Sequence, residues 1–148
     1  MADIHSTWQV VERWAEIMAS GGKDLSEVCH PDFIEDTPQS GERIRGLENH
    51  RAILENYPRR EEMKGELDRI VGSEDKWVST PSFTLLKIVG TGDNYTVLAK
   101  VAYADQGEFG VVSVLELRNE KIAKATTFFA APFEAPAWRS QWVERIGS

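Results

Sequence analysis

The hydrophobic pattern changes its period about halfway along the chain. From residue 10 to residue 18 apolar side chains recur every three or four positions, as on one side of an α-helix. We expect this helix to be capped by Asp3, to run to about Ser20 and to end at Gly21-Gly22. Its apolar stripe consists of Val10, Val11, Trp14, Ala15, Ile17 and Met18.

Two shorter helices are predicted further along the first half. Asp24–Val28 forms one of them, and Leu47–Tyr57 forms the other, which ends at Pro58. Between them we expect a brief strand at Phe33–Asp36, followed by a turn-rich loop over Pro38–Gly46.

The second half alternates with the period of two that is typical of β-strands. Short polar and glycine-containing turns separate the segments, which predicts antiparallel hairpins. Helices followed by a meander of strands indicate an α+β domain, with the helices packed on one face of a curved sheet. The predicted strands are Lys64–Ser73, Ser82–Val89, Tyr95–Ala104, Phe109–Arg118 and Lys121–Ala130.

Two of these strands are apolar on both faces. Val97, Ala99, Val101 and Tyr103 share one face of their strand, but Leu98 lies on the other face. The strand 109–118 repeats the pattern, with Val112 and Val114 on its outer face. A sheet that is apolar on both faces needs two covers. The helices supply one, and a second subunit is the economical source of the other, so we expect a homodimer.

The C-terminal segment carries two tryptophans. Pro136 suits a first helical turn, and a short helix over about 136–146 would place Trp138 and Trp142 on one side. Three interpretations remain open for this helix: it packs on the domain's own core, it covers the mouth of a pocket, or it forms a dimer contact.

Size and charge narrow the class of protein. The 148 residues fit one domain over 1–148, and the net charge of -7 argues against nucleic acid and anionic membrane partners. The single cysteine, Cys29, suits a reducing compartment and is expected to be a small buried hydrophobe rather than a nucleophile. Neither a secretory signal nor a membrane span is visible, so we expect a cytoplasmic protein.

The segment Cys29–Gly46 holds the main candidate chemistry, the adjacent carboxylates Glu35 and Asp36. Ile34 and Asp36 alternate onto one side of the strand, so Asp36 leans inward if Ile34 is buried. A carboxylate enclosed by aromatic rings could act as a general base. The alternative is that Asp36 bonds the following turn or pairs with Arg43 or Arg45.

Two histidines could assist such a base. His50 lies near the inward stripe of its helix, whereas His30, which precedes Pro31, more simply orders its own loop. His30, Asp32, Glu35 and Asp36 lack the spacing of a structural zinc site, so we expect no metal.

The order of elements and several motifs resemble the nuclear-transport-factor-2-like superfamily, in particular its SnoaL-like (polyketide cyclase-like) branch. The resemblance implies an NTF2-like cone, a strongly curved and mainly antiparallel β-sheet wrapped around N-terminal helices with an internal apolar pocket. It also implies frequent homodimers. The segments that carry it are the first helix, His30–Asp36, Pro38–Gly46 and Phe128–Arg139.

Within this superfamily the Glu35-Asp36 pair is similar to the Glu-Asp of ketosteroid isomerases, whose Asp shuttles the proton. The chain departs from that pattern at three positions. In the isomerases a proline follows the Asp directly, whereas here Thr37 lies between Asp36 and the proline. Trp14 and Ser113 stand where the isomerases carry oxyanion donors. SnoaL-like cyclases use an Asp assisted by His, without a metal or other cofactor.

The sequence therefore predicts a pocket protein for an apolar carbonyl or polyketide-like molecule, acting as a cyclase, isomerase or dehydratase without a cofactor. A non-catalytic ligand-binding protein and a dimeric interaction module remain alternatives. The expected catalytic residues are Asp36 and His50, and the expected substrate-binding residues are Trp14, Tyr57, Tyr103, Ser113, Thr127, Phe129 and Trp138.

Overall fold

The computed structural model describes residues 4–22, 24–58, 69–70, 78–80, 82–103 and 106–146. The helices are α1 (Ile4–Ala19) and α2 (Gly46–Glu55), with 3-10 helices at Leu25–Glu27 and Ala137–Trp142. The strands are β1 (Cys29–Thr37), β2 (Glu42–Arg45), β3 (Arg69–Ile70), β4 (Val78–Ser79), β5 (Phe83–Thr91), β6 (Asn94–Tyr103), β7 (Gly107–Arg118) and β8 (Lys121–Ala130).

All eight strands form one curved sheet that does not close on itself, in the order β2-β1-β8-β7-β6-β5-β4-β3. Every neighbouring pair is antiparallel except β1 and β8, which are parallel. The strand from the first half of the chain therefore lies beside the last strand. This arrangement confirms the α+β class and the mainly antiparallel, curved sheet.

α1 packs on the inner face of the sheet because its apolar stripe needs cover. Val11, Trp14 and Ala15 are buried there. The helix ends where Gly21 and Gly22 adopt positive φ, and the Gly22 N–H bonds the Ile17 carbonyl oxygen at 2.8 Å.

Tyr95 is the largest fully buried side chain and ties the sheet to α1. Its hydroxyl lies 2.8 Å from Thr7 Oγ1, and its ring meets Trp8 edge to face. Because a buried hydroxyl must be hydrogen-bonded, this contact fixes the position of α1 relative to the sheet.

The alternation predicted for β6 and β7 is confirmed. Val97, Ala99, Ser113 and Leu115 face inward and are buried. Leu98 and Val114 face outward and are partly exposed.

β1 and β2 differ from expectation. β1 begins at Cys29 and includes Pro31. Proline has no N–H to donate to a neighbouring strand, but the pairing of β1 with β8 is irregular between Cys29 and Ile34, so no regular sheet hydrogen bond is lost there. The expected loop over 38–46 contains β2, which forms a hairpin with β1. Asp3, and most of the strand expected at Lys64–Ser73, lie outside the described residues.

Gly90 is a position that only glycine fits. A Cβ there would lie 2.2 Å from the Asn94 carbonyl oxygen and 2.7 Å from Tyr95 Cα, with φ at +141°. We expect Gly90→Ala to lower the free energy of unfolding by at least about 2 kcal/mol, measured by urea denaturation.

Gly92→Ala is the matched control for this substitution. Gly92 also has positive φ, at +63°, but apart from its chain neighbours no atom of the described residues lies within 4 Å of an added Cβ. It should lose only about 1 kcal/mol. Equal losses in the two variants would contradict the steric explanation.

Candidate functional site

A cavity of about 270 Å³ opens between the inner face of the sheet and the two helices. Its wall is largely apolar, with a few carboxylate, imidazole and hydroxyl groups, which is typical of small-molecule sites. It is lined by Trp14, Met18, Ala19, Gly21, Glu35, Thr37, Ile44, His50, Ile53, Leu54, Tyr57, Ser82, Phe83, Val101, Tyr103, Val111, Ser113, Thr127 and Phe129.

The pleat of β1 decides which of the two adjacent carboxylates enters this cavity. Phe33 is fully buried, and the positions that share its face, Glu35 and Thr37, line the cavity. Asp36 faces the opposite side of the sheet, where its carboxylate lies 3.6 Å from Lys124 Nζ. The expectation that Asp36 leans inward is thus corrected, because the buried residue that sets the phase is Phe33 and not Ile34.

Asp36 instead forms an ion pair with Arg43 across the β1–β2 hairpin. Arg43 Nε donates to Oδ1 at 2.6 Å and a second guanidinium nitrogen, Nη2, donates to Oδ2 at 2.9 Å. These bonds lower the pKa of Asp36 from 3.8 to about 2. The alternative interpretation of Asp36, a pair with Arg43, is confirmed. A carboxylate held in this way is a poor proton acceptor near neutral pH.

The carboxylate inside the cavity belongs to Glu35, which pairs with His50. His50 Nε2 lies 3.2 Å from Glu35 Oε1, and both side chains are largely buried. Among the described residues this is the one hydrogen bond that the Glu35 side chain makes, so Oε2 is left for a molecule in the cavity.

His50 is held by packing as well as by Glu35. The Phe33 ring meets the imidazole edge to face at 5.8 Å. His50 Nδ1 is buried, and no hydrogen-bond partner for it is found in the described part of the chain. An unpaired buried nitrogen costs about 1–3 kcal/mol of stability. When Nε2 carries the ring proton, the imidazole donates to the Glu35 carboxylate.

Aromatic rings form the wall of the cavity beside this pair. Tyr57 and Tyr103 are stacked with their centroids 5.9 Å apart and an interplanar angle of 20°. Tyr103 also contacts Phe109 and Phe129. Burial, aided by the charges of Tyr57 and Glu35, raises the pKa of Tyr103 to about 12. Its hydroxyl therefore remains a hydrogen-bond donor at neutral pH.

Two hydroxyls lie deeper on the inner face. Ser113 Oγ and Thr127 Oγ1 are buried, pair across β7 and β8 and lie 3.0 Å apart. Their mutual bond uses one of the two hydroxyl protons, so the pair can still donate to an oxygen in the cavity.

The cavity thus brings together most of the expected site residues, although not Asp36 and Trp138. Trp14, Tyr57, Tyr103, Ser113, Thr127, Phe129 and His50 all line it.

Trp138 does not line the cavity, and its side chain is exposed, so packing on the domain's own core is not observed. The C-terminal helix is also shorter than expected and is of the 3-10 type.

His30 and Cys29, which were also considered as functional residues, have structural roles near the site. His30 Nε2 hydrogen-bonds the Arg118 carbonyl oxygen at 2.5 Å, which ties β1 to the β7–β8 turn. Cys29 is buried, and burial raises its thiol pKa to about 12, so its interpretation as a small hydrophobe is confirmed.

The sequence singled out Glu35 together with Asp36, but the phase taken from Ile34 assigned the base role to Asp36 and gave no role to Thr37. The signal that could have found them is Phe33: an aromatic residue flanked by Asp32 and Ile34 is the better anchor for the buried face.

Neither a metal site nor a membrane-spanning helix is found among the described residues. No group of three or more His, Cys, Asp and Glu side chains in that part of the chain is placed to hold a metal ion. No helix among those residues is long and apolar enough to cross a membrane.

An α+β cone with an internal cavity defines a fold that known structures share. A protein of unknown function from Burkholderia xenovorans LB400, described as NTF-2 like, is 31% identical, with 97% of each chain covered and a TM-score of 0.69. The chain therefore belongs to the NTF2-like family. No family model and no curated protein matches it.

Two more distant structures share the fold alone. A protein from Kribbella flavida, provisionally described as a ketosteroid isomerase, is 20% identical with a TM-score of 0.73, covering 100% of this chain and 95% of its own. A protein from Jannaschia sp. CCS1, provisionally described as a SnoaL-like polyketide cyclase, is 14% identical with a TM-score of 0.56, covering 87% and 89%.

The Asp36–Arg43 pair predicts a specific acid dependence. Because the folded-state pKa is lowered, the pair stabilises the fold above the ordinary value of 3.8 and loses this contribution as pH falls towards about 2. We expect the Asp36 side-chain carboxyl carbon to titrate near pH 2 by NMR. Arg43→Gln should return the midpoint towards 3.8, and a wild-type midpoint above that value would contradict the pair.

Proposed function

We propose that this protein is a cofactor-independent acid/base enzyme that acts on a small apolar carbonyl compound, with Glu35 as the proton-transferring group. The observation that carries the proposal is the buried Glu35–His50 pair, in which the second carboxylate oxygen, Oε2, makes no hydrogen bond to a described residue. Polar groups that are buried in an apolar cavity and only partly paired are typical of catalytic sites.

The proposed reaction begins with proton removal from carbon next to the substrate carbonyl. Glu35 Oε2 accepts this proton while His50 Nε2 holds the other carboxylate oxygen in place. The electron pair of the broken C–H bond moves into the carbonyl to form an enolate. In an isomerisation the protonated Glu35 then returns the proton at another carbon. In an aldol cyclisation the enolate carbon attacks a second carbonyl, whose C=O electron pair moves onto oxygen, and the resulting alkoxide takes the proton back from Glu35.

The enolate oxygen needs a hydrogen-bond donor, and the cavity offers several. The Tyr103 hydroxyl, with its raised pKa, stays protonated. The Ser113–Thr127 pair has one free proton, and the Trp14 indole N–H is a further candidate. Preorganised donors of this kind stabilise the developing charge without reorganisation.

The size and wall of the cavity indicate the class of substrate. Its volume, about 270 Å³, lies just below the roughly 300–1,000 Å³ of drug-sized sites. The stacked Tyr57 and Tyr103 favour a flat apolar molecule. A ketone of one or two rings therefore fits this site best.

The test measures exchange of the α-protons of 1-tetralone, a bicyclic ketone, in heavy water by NMR. Wild-type protein should speed deuterium uptake at the carbon next to the carbonyl. Glu35→Gln keeps the shape of the side chain but cannot accept the proton, so the rate should fall by about 10²–10⁴-fold.

The matched control is Asp36→Asn, which alters the adjacent carboxylate on the opposite face of the sheet. It should leave the exchange rate within about twofold of wild type. Exchange that depends on Asp36 and not on Glu35 would contradict the assignment. Exchange equal to the buffer rate in wild-type protein would refute catalysis on this probe class.

Binding of an apolar ligand without turnover is the second candidate function, favoured by the predominance of apolar side chains in the cavity wall.

Whether the protein is an enzyme or only binds a ligand, Tyr103 should contribute to binding through its ring. We expect Tyr103→Leu to weaken binding of 1-tetralone by about 3–10-fold, since an aromatic pair is worth roughly 0.5–1.5 kcal/mol.

Tyr103→Phe is the control for that variant because it keeps the ring and removes the hydroxyl. Fluorescence titration should show nearly wild-type affinity for it. If Tyr103→Phe loses as much affinity as Tyr103→Leu, the hydroxyl and not the ring binds the ketone.

A further inference from the structure

Three hydroxyl side chains form one row across the inner face of the sheet. We call it the hydroxyl row, and it consists of Thr37 on β1, Thr127 on β8 and Ser113 on β7. Ser113 and Thr127 are paired across their two strands. The parallel pairing of β1 with β8 places Asp36 beside Thr126, so the next step along both strands places Thr37 beside Thr127. All three side chains of the row line the cavity.

The end of β1 holds Thr37 in its place in the row. Its carbonyl oxygen accepts hydrogen bonds from the N–H groups of Ser40 at 3.2 Å and Gly41 at 3.0 Å. The Gln39 side chain bonds the main chain of Phe129, so the chain beyond Thr37 still follows β8. The backbone of Thr37 is therefore fixed, while its hydroxyl makes no hydrogen bond to a described residue.

The row interrupts a wall that is otherwise apolar on β7 and β8. The neighbouring inward positions are Val111 and Leu115 on β7, and Ala125 and Phe129 on β8. The two row residues on these strands are 3% and 4% exposed. Burial of a hydroxyl costs free energy unless its hydrogen bonds are made, and alanine or valine would avoid that cost. The row is therefore the part of this wall that has hydrogen bonds to offer to a bound molecule.

The row has more free acceptor sites than free protons. A hydroxyl carries one proton and two acceptor lone pairs. Ser113 Oγ and Thr127 Oγ1 lie 3.0 Å apart and use one proton and one lone pair in their mutual bond. With Thr37, the row keeps two protons and five lone pairs. A carbonyl or ether oxygen uses only the protons, whereas a ligand hydroxyl uses a proton and a lone pair.

We propose that the hydroxyl row is a subsite for a hydroxyl group of the ligand, so that this cavity takes a hydroxylated ketone in preference to a plain one. This inference deepens the proposed function and rests on it, because it names a second group on the molecule that the same cavity takes. Neighbouring strands lie about 4.8 Å apart, so one oxygen between Thr37 and Thr127 reaches both. It accepts a hydrogen bond from one and donates to the other.

The carbonyl of the same ligand has partners outside the row. Glu35 precedes Thr37 by two residues on the same face of β1, so their Cα atoms are roughly 7 Å apart. A hydroxyl bound at the row therefore lies near the carbon that Glu35 is proposed to deprotonate. Tyr103 on β6 and Trp14 on α1 also line the cavity, and they remain available to the carbonyl oxygen.

The first test compares 1-tetralone with a set of 1-tetralones that each carry one hydroxyl, at different ring positions. Fluorescence titration of the wild-type protein should show at least one of them binding about 5–30-fold more tightly than 1-tetralone, as expected for one or two hydrogen bonds. The methoxy counterpart of that compound accepts a hydrogen bond but cannot donate one, so it should lose most of the gain.

The second test removes hydroxyls from the row without changing its shape. Thr37→Val should weaken binding of the preferred hydroxy compound by about 3–10-fold and leave 1-tetralone within about twofold. Ser113→Ala with Thr127→Val should remove the remaining preference. Because this double variant replaces both partners of a buried hydrogen bond, it should unfold at the same urea concentration as wild type or at a higher one.

Thr126→Val is the matched control for these variants. Thr126 is the neighbour of Thr127 on β8 and faces the opposite side of the sheet, in the row of Val114. The control should keep the full preference for the hydroxy compound. A loss equal to that of Thr37→Val would show that the effect does not come from the cavity.

Three results would overturn the subsite. They are a series in which no hydroxy compound binds better than 1-tetralone, a methoxy compound that binds as tightly as its hydroxy counterpart, and a preference that Thr37→Val leaves unchanged. Thr37→Val removes no hydrogen bond between described residues, so it decides the question even if the double variant does not fold.

The deuterium-exchange test of Glu35 gives an independent answer. A preference for the hydroxy compound without exchange supports the subsite and refutes the reaction. Exchange that depends on Glu35, without any preference for a hydroxy compound, supports the reaction and refutes the subsite.

Discussion

The pleat of β1 is the constraint on which the rest of the site depends. Successive side chains of a strand point to opposite faces, so the burial of Phe33 sends Glu35 and Thr37 into the cavity. The same alternation sends Asp36 outward, where Arg43 and Lys124 neutralise it. Two adjacent carboxylates thereby acquire opposite roles without any difference in their own chemistry. A slip of one residue would exchange them.

The position of β1 in the sheet makes that constraint rigid. β1 lies between β2 and β8, so both of its edges are paired. Beyond its end, the Gln39 side chain continues the contact with β8 by bonding both the N–H and the carbonyl oxygen of Phe129. The turn that follows Thr37 is therefore attached to the strand that carries Thr127 and Phe129. The polar groups of the cavity come from several separate elements, and these attachments hold the elements together, so the cavity keeps its geometry.

The two faces of the sheet differ in what they carry. The inner face carries the hydrophobic core, which includes Tyr95, and opens into the cavity. There the Nδ1 atom of His50 is buried without a hydrogen-bond partner among the described residues, which lowers the stability of the fold. The outer face carries ion pairs at its ends and an apolar strip in its middle. The cavity and the apolar residues of the outer face thus lie on opposite sides of the same strands.

The features of the structure that depend on residues close together in the chain were predictable from the sequence, whereas those that depend on distant residues were not. The helix of residues 4–19, the hairpins of β5 to β8 and the inward face of β6 and β7 follow from local periodicity and turn residues, and the sequence predicted them. It also placed Trp14, Tyr57, Tyr103, Ser113, Thr127, Phe129 and His50 at one pocket, largely through the family resemblance. The tertiary structure alone decided that β1 lies parallel to β8, that Glu35 and not Asp36 meets His50, and that Trp138 stays outside. These depend on contacts between residues far apart in the chain. Phe33 and Ile34 are adjacent and both apolar, so the sequence of β1 allows two phases, and packing on the core selects the phase that buries Phe33.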